Sequence, residues 1–246
     1  MTGKRGLGLF ASPVNWPALM ALRPDALVCI DPYHLPPYPA GGCQYLWRPW
    51  AGTRVLRNLT PAEYVNRVMA EWGQKGRPHF DAIQFLNEPN LEQESGYPAG
   101  SREAAQAAVD WGLAVVALLR TAWPGAEIAS PPLSPCVEPY LEFWEWLRPL
   151  VDFCDVVAVH RYFDNRYTLG AVHKLYPDRG MVVTELGRPA SGSLEYGQEL
   201  LSYWRALESL PYVRWGAAFQ WQVVPEFAAW GLDGTPAAAL LAGAAE

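Results

Sequence analysis

The chain has 246 residues, half of them hydrophobic and 18% charged, enough apolar side chain to fill one large core without disulfide or metal staples. Its net charge of −6, with no cluster of Lys or Arg beyond a residue or two, lacks the electrostatic footprint of a nucleic-acid binder. No stretch approaches the roughly 18 consecutive apolar residues that span a bilayer. The basic start Met1-Thr2-Gly3-Lys4-Arg5 is followed by a short apolar run with no small-residue cleavage site, so no signal peptide is read. The expectation is a soluble protein, cytoplasmic as encoded, monomeric, and forming one domain over 1–246.

Taken in chain order, short aliphatic runs alternate with longer helical stretches, the pattern of βα units around a parallel sheet. Eight runs are read as strands: 6–10, 26–30, 54–57, 82–86, 127–130, 156–160, 181–184 and 215–221. Most are continuously apolar, as strands buried on both faces are. Between the second and third lies 31–53, rich in Pro, Gly and aromatic residues. It reads as a long ordered loop that either shapes a cleft or replaces a missing helix. Thr60-Pro61-Ala62-Glu63 is a capping box with Pro at the first helical position, and Ser101 opens an Ala-rich helix that stops at Trp123-Pro124-Gly125. Further helices are expected near 138–147, 195–208 and 236–244, with short segments after strands one and six. Eight strands in one domain of about this length predict an α/β fold, a single (β/α)8 TIM barrel with some short or missing helices.

Two strand ends carry the chemistry. Ile83-Gln84-Phe85-Leu86 ends abruptly in Asn87-Glu88-Pro89, and Met181-Val182-Val183-Thr184 ends in Glu185. Residues at the C-terminal ends of barrel strands point into the catalytic mouth. The two glutamates, 97 positions apart (185 − 88), fall on strands four and seven. Cleavage of a glycosidic bond needs such a pair, one carboxyl to protonate the leaving oxygen and one carboxylate to attack the anomeric carbon. A surplus of 12 Trp and 12 Tyr also suits platforms for sugar rings. Taken singly, either glutamate could be an ordinary solvated loop carboxylate.

These motifs resemble clan A of the glycoside hydrolases, barrel enzymes with Asn-Glu-Pro after strand four and a second Glu after strand seven. The resemblance implies a retaining hydrolase acting on a β-linked glycan by double displacement, with Glu88 as acid/base, Glu185 as nucleophile and Asn87 on the sugar 2-hydroxyl. Val157-Ala158-Val159-His160-Arg161-Tyr162 is similar to the clan's strand-six His-x-Tyr. That would set Tyr162 beside the nucleophile and His160 near the acid/base, although His160 also reads as a buried, backbone-satisfied histidine. Phe219-Gln220-Trp221 is similar to the strand-eight Trp that floors the innermost subsite, with barrel packing as the other reading of Trp221. Arg57, ending the third run, stands where it could support Glu185 as a clan arginine does. Asp31, Tyr33, Asp164 and Asn165 follow strand ends and could contact hydroxyls. The short barrel and Ser130-Pro131-Pro132 look most like the compact endo-β-1,3-glucanases, with β-xylosidase-like enzymes second.

Phosphate-loop, dinucleotide, zincin and esterase motifs are absent, and Cys29, Cys43, Cys136 and Cys154 form no C-x-x-C pair. Neither cofactor nor metal is expected, and the partner is an oligo- or polysaccharide. Two alternatives stay open: a carbohydrate-binding barrel with little turnover, and a cell-wall or phage-type glycan depolymerase.

Overall fold

The computed structural model describes residues 4–9, 14–30, 42–162, 168–189, 192–220 and 231–244. Among these, eight strands form one parallel sheet: β1 (Arg5–Leu9), β2 (Ala26–Cys29), β3 (Gln44–Trp47), β4 (Ala82–Gln84), β5 (Glu127–Ala129), β6 (Val157–Tyr162), β7 (Met181–Gly187) and β8 (Val213–Ala218). The order β5-β4-β3-β2-β1-β8-β7-β6 leaves only β5 and β6 as edges. A parallel bridge from Ala129 to Val156 joins these two, and Ser130 N donates to Val156 O at 2.9 Å. The sheet therefore closes into the eight-stranded barrel that the alternation of runs predicts.

One run was misplaced. Arg54–Arg57 is not a strand; Arg54 takes a left-handed conformation at φ 54° and opens the single helical turn α2 (Val55–Asn58). The third strand lies inside the segment expected to be loop. Gln44-Tyr45-Leu46-Trp47 pairs in register with Ala26-Leu27-Val28-Cys29. Its β-branch-free but aromatic and aliphatic side chains suit a strand buried on both faces, and Pro49 closes it. The 54–57 run carries only two apolar residues, too few to cover two faces.

The helices follow their local signals. In α3 (Pro61–Gln74) the Thr60 side chain accepts from Glu63 N while Glu63 reaches back to Thr60 N, the complete capping box. Ser101 caps α5 (Arg102–Ala122). The elements α6 (Tyr140–Trp146), α9 (Leu194–Glu208) and α10 (Pro236–Gly243) lie where helices were expected. The segments after the first and sixth strands are short, α1 (Trp16–Ala21) and α8 (Leu169–Leu175). Single turns α4 (Glu92–Ser95) and α7 (Arg148–Val151) complete the described set, in which no helix is long and apolar enough to cross a membrane.

Strand periodicity sorts side chains into two cores. Outward residues such as Leu7, Leu27, Trp47, Ile83 and Val183 pack under the helices. Inward residues Ala26, Val28, Leu46, Ala82, Ala129, Val156, Ala158, Val182, Trp215 and Ala217 fill the lumen. Eight of these ten inward residues are alanine or valine, as a narrow lumen requires, and at Gly6 the approach is close: a Cβ there would lie 2.9 Å from Ala217 Cα.

At the N-terminal rim, an aspartate one or two residues before each of three even-numbered strands accepts a backbone N–H from the neighbouring odd strand. Asp25 takes Arg5 N at 2.9 Å, Asp81 takes Tyr45 N at 2.8 Å and Asp155 takes Ile128 N at 2.8 Å. These carboxylates satisfy donors that the ladder leaves open at the start of each strand. Asp81→Ala should therefore lower the unfolding free energy by about 1–2 kcal/mol, measured by urea denaturation, with an unchanged far-ultraviolet spectrum. A variant as stable as the parent would show that water satisfies Tyr45 N equally well.

Candidate active site

The lumen's inward positions continue past the strand ends and set the site. Counting by twos from Val28 gives Ile30, from Leu46 gives Arg48, from Ala158 gives His160 and Tyr162, and from Ala217 gives Phe219. Apart from His160, these residues line a cavity of about 460 Å³ at the C-terminal mouth, together with Trp50, Asn87, Glu88, Gln93, Glu94 and Glu185. A slip in the β6–β7 register between Val159 and His160 aligns His160 with Glu185. Such an irregularity re-aims side chains toward a mouth.

Glu185 is 5% exposed and still holds its charge partners closely. Arg48 Nη1 donates to Oε1 at 2.6 Å and the Tyr162 hydroxyl donates to Oε2 at 2.7 Å. His160 Nε2 lies 3.6 Å from Oε1. Burial pushes the Glu185 carboxyl up, but His160, the Arg48 charge and the Tyr162 and Arg48 hydrogen bonds outweigh it, and the group is held below the usual carboxylate range. Burial, then the charges of Glu185 and Glu88, push the Tyr162 phenol up, so Tyr162 stays a donor.

Glu88 has a different environment. His160 Nδ1 lies 2.8 Å from its Oε1, and among the described residues no arginine shares that contact. Its backbone is left-handed, at φ 28°, a conformation that costs on the order of 1–3 kcal/mol and persists only where the surroundings impose it. The surroundings do so: Leu91 N donates to Glu88 O at 2.8 Å. Two residues on, the Asn90 amide donates to Ser134 O at 2.8 Å and accepts from Ser134 N at 2.9 Å. The loop after β4 is thereby locked to the loop after β5.

Asn87 sits between these groups, accepting at Oδ1 from Arg48 at 3.1 Å and donating from Nδ2 to Glu94 Oε1 at 3.5 Å. The structure thus brings Asn87, Glu88, His160, Tyr162 and Glu185 together. It does not bring Arg57. That guanidinium lies 4.5 Å over the Tyr97 ring on α2's outer side, because its run is a helical turn rather than a strand end; the arginine on Glu185 is Arg48. Trp221, Asp31, Tyr33, Asp164 and Asn165 lie outside the described residues.

Sequence reading missed Arg48, Trp50 and Glu94. Arg48 was recoverable: once Gln44–Trp47 is taken as the strand, Arg48 is its first C-terminal residue. Trp50, 51% exposed and on the cavity wall, belongs to the same segment. Nothing in the sequence marks Glu94, whose place depends on how the loop after β4 folds.

Fold and site together define an eight-stranded parallel barrel with a carboxyl-lined cleft at its strand ends. No protein-family model matches the sequence, and no curated protein does. Solved structures do. An endo-β-1,3-glucanase of glycoside hydrolase family 128, subgroup II, from Sorangium cellulosum aligns with a TM-score of 0.65 and 20% identity over 99% of this chain and 98% of its own. A subgroup I enzyme from Amycolatopsis mediterranei gives 0.67 and 17% over 99% and 100%. A subgroup IV enzyme from Lentinula edodes gives 0.56 and 19% over 89% and 84%. The likeness to compact endo-β-1,3-glucanases expected from the motifs is met in the fold. Structures of the Amycolatopsis enzyme include variants at either of two glutamates, 97 positions apart, with laminari-oligosaccharides bound.

The ion pair makes a signed prediction. A carboxyl held below its unfolded value contributes stability that is present above the unfolded value and is lost as pH falls through the folded one. Arg48→Met removes the nearest cation from the buried Glu185 charge, leaving Tyr162 and His160 beside it, and should cost on the order of 3–5 kcal/mol at neutral pH. The gap from the parent should narrow toward about pH 4, where protonating Glu185 removes that charge. Denaturation across this range checks it, and a gap that does not vary with pH would contradict it.

Proposed function

We propose that this protein is a retaining glycoside hydrolase that cleaves a β-1,3-linked glucan, with Glu88 as general acid/base and Glu185 as nucleophile. The observation that carries this reading is the asymmetry of the two carboxyls around His160. Glu185 is fixed by Arg48 at 2.6 Å and Tyr162 at 2.7 Å and is held ionised, as an attacking carboxylate must be. Among the described residues Glu88 has neither group on it, its partner there being the imidazole, and it can carry a proton to the leaving oxygen. Its place after β4 and that of Glu185 on β7 put both in one cleft.

The β-1,3-glucan assignment draws on the neighbours in fold. In the Amycolatopsis enzyme, glutamates with the same separation of 97 were replaced in structures holding laminari-oligosaccharides. The cleft of about 460 Å³ with an exposed Trp50 on its wall offers an apolar face for the C–H side of a sugar ring.

In the first step Glu185 Oε attacks the anomeric carbon as the glycosidic C–O bond breaks, and the Glu88 proton passes to the departing oxygen. The products are a glycosyl ester on Glu185 and a shortened glucan. In the second step ionised Glu88 takes a proton from water, the water oxygen displaces Glu185, and both carboxyls return to their starting states. Asn87, whose amide contacts Arg48 and Glu94, lines the cleft, and the proposal puts the sugar 2-hydroxyl on it. No metal or cofactor enters these steps.

Azide separates the two roles. Glu185→Ala should lose more than about 10³-fold in kcat and regain turnover in azide, giving an α-glycosyl azide by single displacement. Glu88→Ala should retain cleavage of aryl glycosides with good leaving groups, lose it on laminarin, and give a β-glycosyl azide. Product anomers identified by proton NMR check both. Azide adducts of the opposite configurations would exchange the roles, and an active Glu185→Ala protein would remove the assignment.

A further inference from the structure

The double displacement leaves two residues of the cleft without a task. Glu94, on the single turn α4, is 8% exposed and lines the same cavity as Glu88 and Glu185. An acid on a surface turn ordinarily faces water, and this one is folded inward. Its Oε1 accepts from the Asn87 amide, and among the described residues its Oε2 has no donor. Burial is the main reason that its carboxyl is pushed up to about 7; the Asn87 bond and Arg48 pull it back, while Glu88 and Glu185 add to the rise. One neutral amide replaces little of the water such a group gives up, and a ligand hydroxyl would supply the missing donor.

Trp50 is the opposite case, an apolar side chain left outside. It is 51% exposed on the wall of the cleft, and with Glu94 it also borders a second chamber of about 50 Å³. An apolar cavity of about 150 Å³ takes a benzene ring, so the chamber is too small for a pyranose, and a sugar against these two residues stays in the open cleft. An indole face beside an acceptor without a donor matches what a pyranose presents, C–H bonds on its faces and hydroxyls around its edge. The turn that carries Glu94 is braced: Arg54 N donates to Gln93 O at 2.9 Å, and Gly96 closes it in the left-handed conformation at φ 83°.

We propose that Glu94 and Trp50 form the subsite for the glucosyl unit attached at O3 of the reacting sugar, Trp50 against its ring and Glu94 accepting from a hydroxyl on its edge. The proposal rests on the roles given above to Glu185 and Asn87, and the order of contacts supplies the direction. Arg48 joins Glu185 to the Oδ1 side of the Asn87 amide, and Glu94 lies on the Nδ2 side. The carbons of the reacting sugar follow the same order, C1 at Glu185 and C2 at Asn87, so C3 is carried toward Glu94. In a β-1,3-glucan O3 bears the next unit toward the non-reducing end. That part of the glucan therefore leaves the reaction centre on the side of α2 and α4, and the cleft reads two sugars on the non-reducing side of the bond it breaks.

The test compares dinitrophenyl β-glucoside, which fills the reaction centre alone, with dinitrophenyl β-laminaribioside, which adds the unit at O3. Both have the same leaving group, so the ratio of their kcat/KM values, bioside over glucoside, isolates the added unit from any effect of a substitution on the reaction centre or on folding. In the full chain the ratio should fall about tenfold in Glu94→Leu, for a lost hydrogen bond to a buried acid, and by roughly three- to tenfold in Trp50→Ala, for a lost aromatic face. Glu94→Gln, which keeps an acceptor, should lie between the parent and Glu94→Leu. A ratio equal to the parent's in Glu94→Leu would overturn the role of Glu94, and the same result in Trp50→Ala that of Trp50. Failure of the reading beneath the proposal looks different: the parent would then release dinitrophenol from neither glycoside.

Discussion

A carboxylate at the mouth of a barrel is surrounded by protein on most sides, and it keeps its charge only if cations and donors outweigh the loss of water. The contact between Arg48 and Glu185 meets that condition. It spans β3 and β7, across the lumen from each other, and the same guanidinium nitrogen also reaches the Asn87 amide. Tyr162 from β6 takes the second carboxylate oxygen. The ends of β3, β6 and β7 are thereby tied through one ionised group, and Asn87 after β4 is tied to the same guanidinium.

That arrangement depends on strand parity. Because side chains alternate, the lumen residues and the cleft residues of one strand are the same face continued. Leu46 in the lumen places Arg48 in the cleft, and Val156 and Ala158 place Tyr162 there and His160 against both glutamates. The narrow lumen below, filled mostly by alanines and valines, holds the strands close enough for these side chains to meet. Glu88 reaches the cleft by another route, a left-handed residue in a loop braced by the reciprocal Asn90 and Ser134 bonds. One carboxyl is thus part of the sheet and charge-paired, the other part of a braced turn and bonded to an imidazole. On the proposed assignment, this difference of support is what separates the roles of two chemically similar residues.

Most of this was legible in the sequence, and the failures have physical causes. Apolar runs buried on both faces gave seven strands, and the ends of two gave both glutamates, because a strand that stops abruptly in a charged residue has little other use for it inside a core. Capping chemistry gave α3 and α5 at Thr60 and Ser101. The third strand was lost because Gln44–Trp47 is short and surrounded by Gly and Pro, so composition outweighed pattern, and the error carried Arg57 into the site in place of Arg48. The reading named the interaction and missed the residue. Glu94 was beyond reach for another reason: it sits on a one-turn helix whose inward face is decided by packing against α2 and the β4 loop, and neither leaves a periodic signal.

The central claim is that Glu185 attacks carbon directly, and the stereochemistry of hydrolysis tests it without any substitution. Two displacements at the anomeric centre restore the starting configuration, whereas a single attack by water inverts it. Proton NMR of laminarin digestion by the intact chain, recorded before mutarotation, should show the β-anomer of the new reducing end first. Initial release of the α-anomer would mean that water attacks the substrate, and Glu185 would then be a base and not a nucleophile.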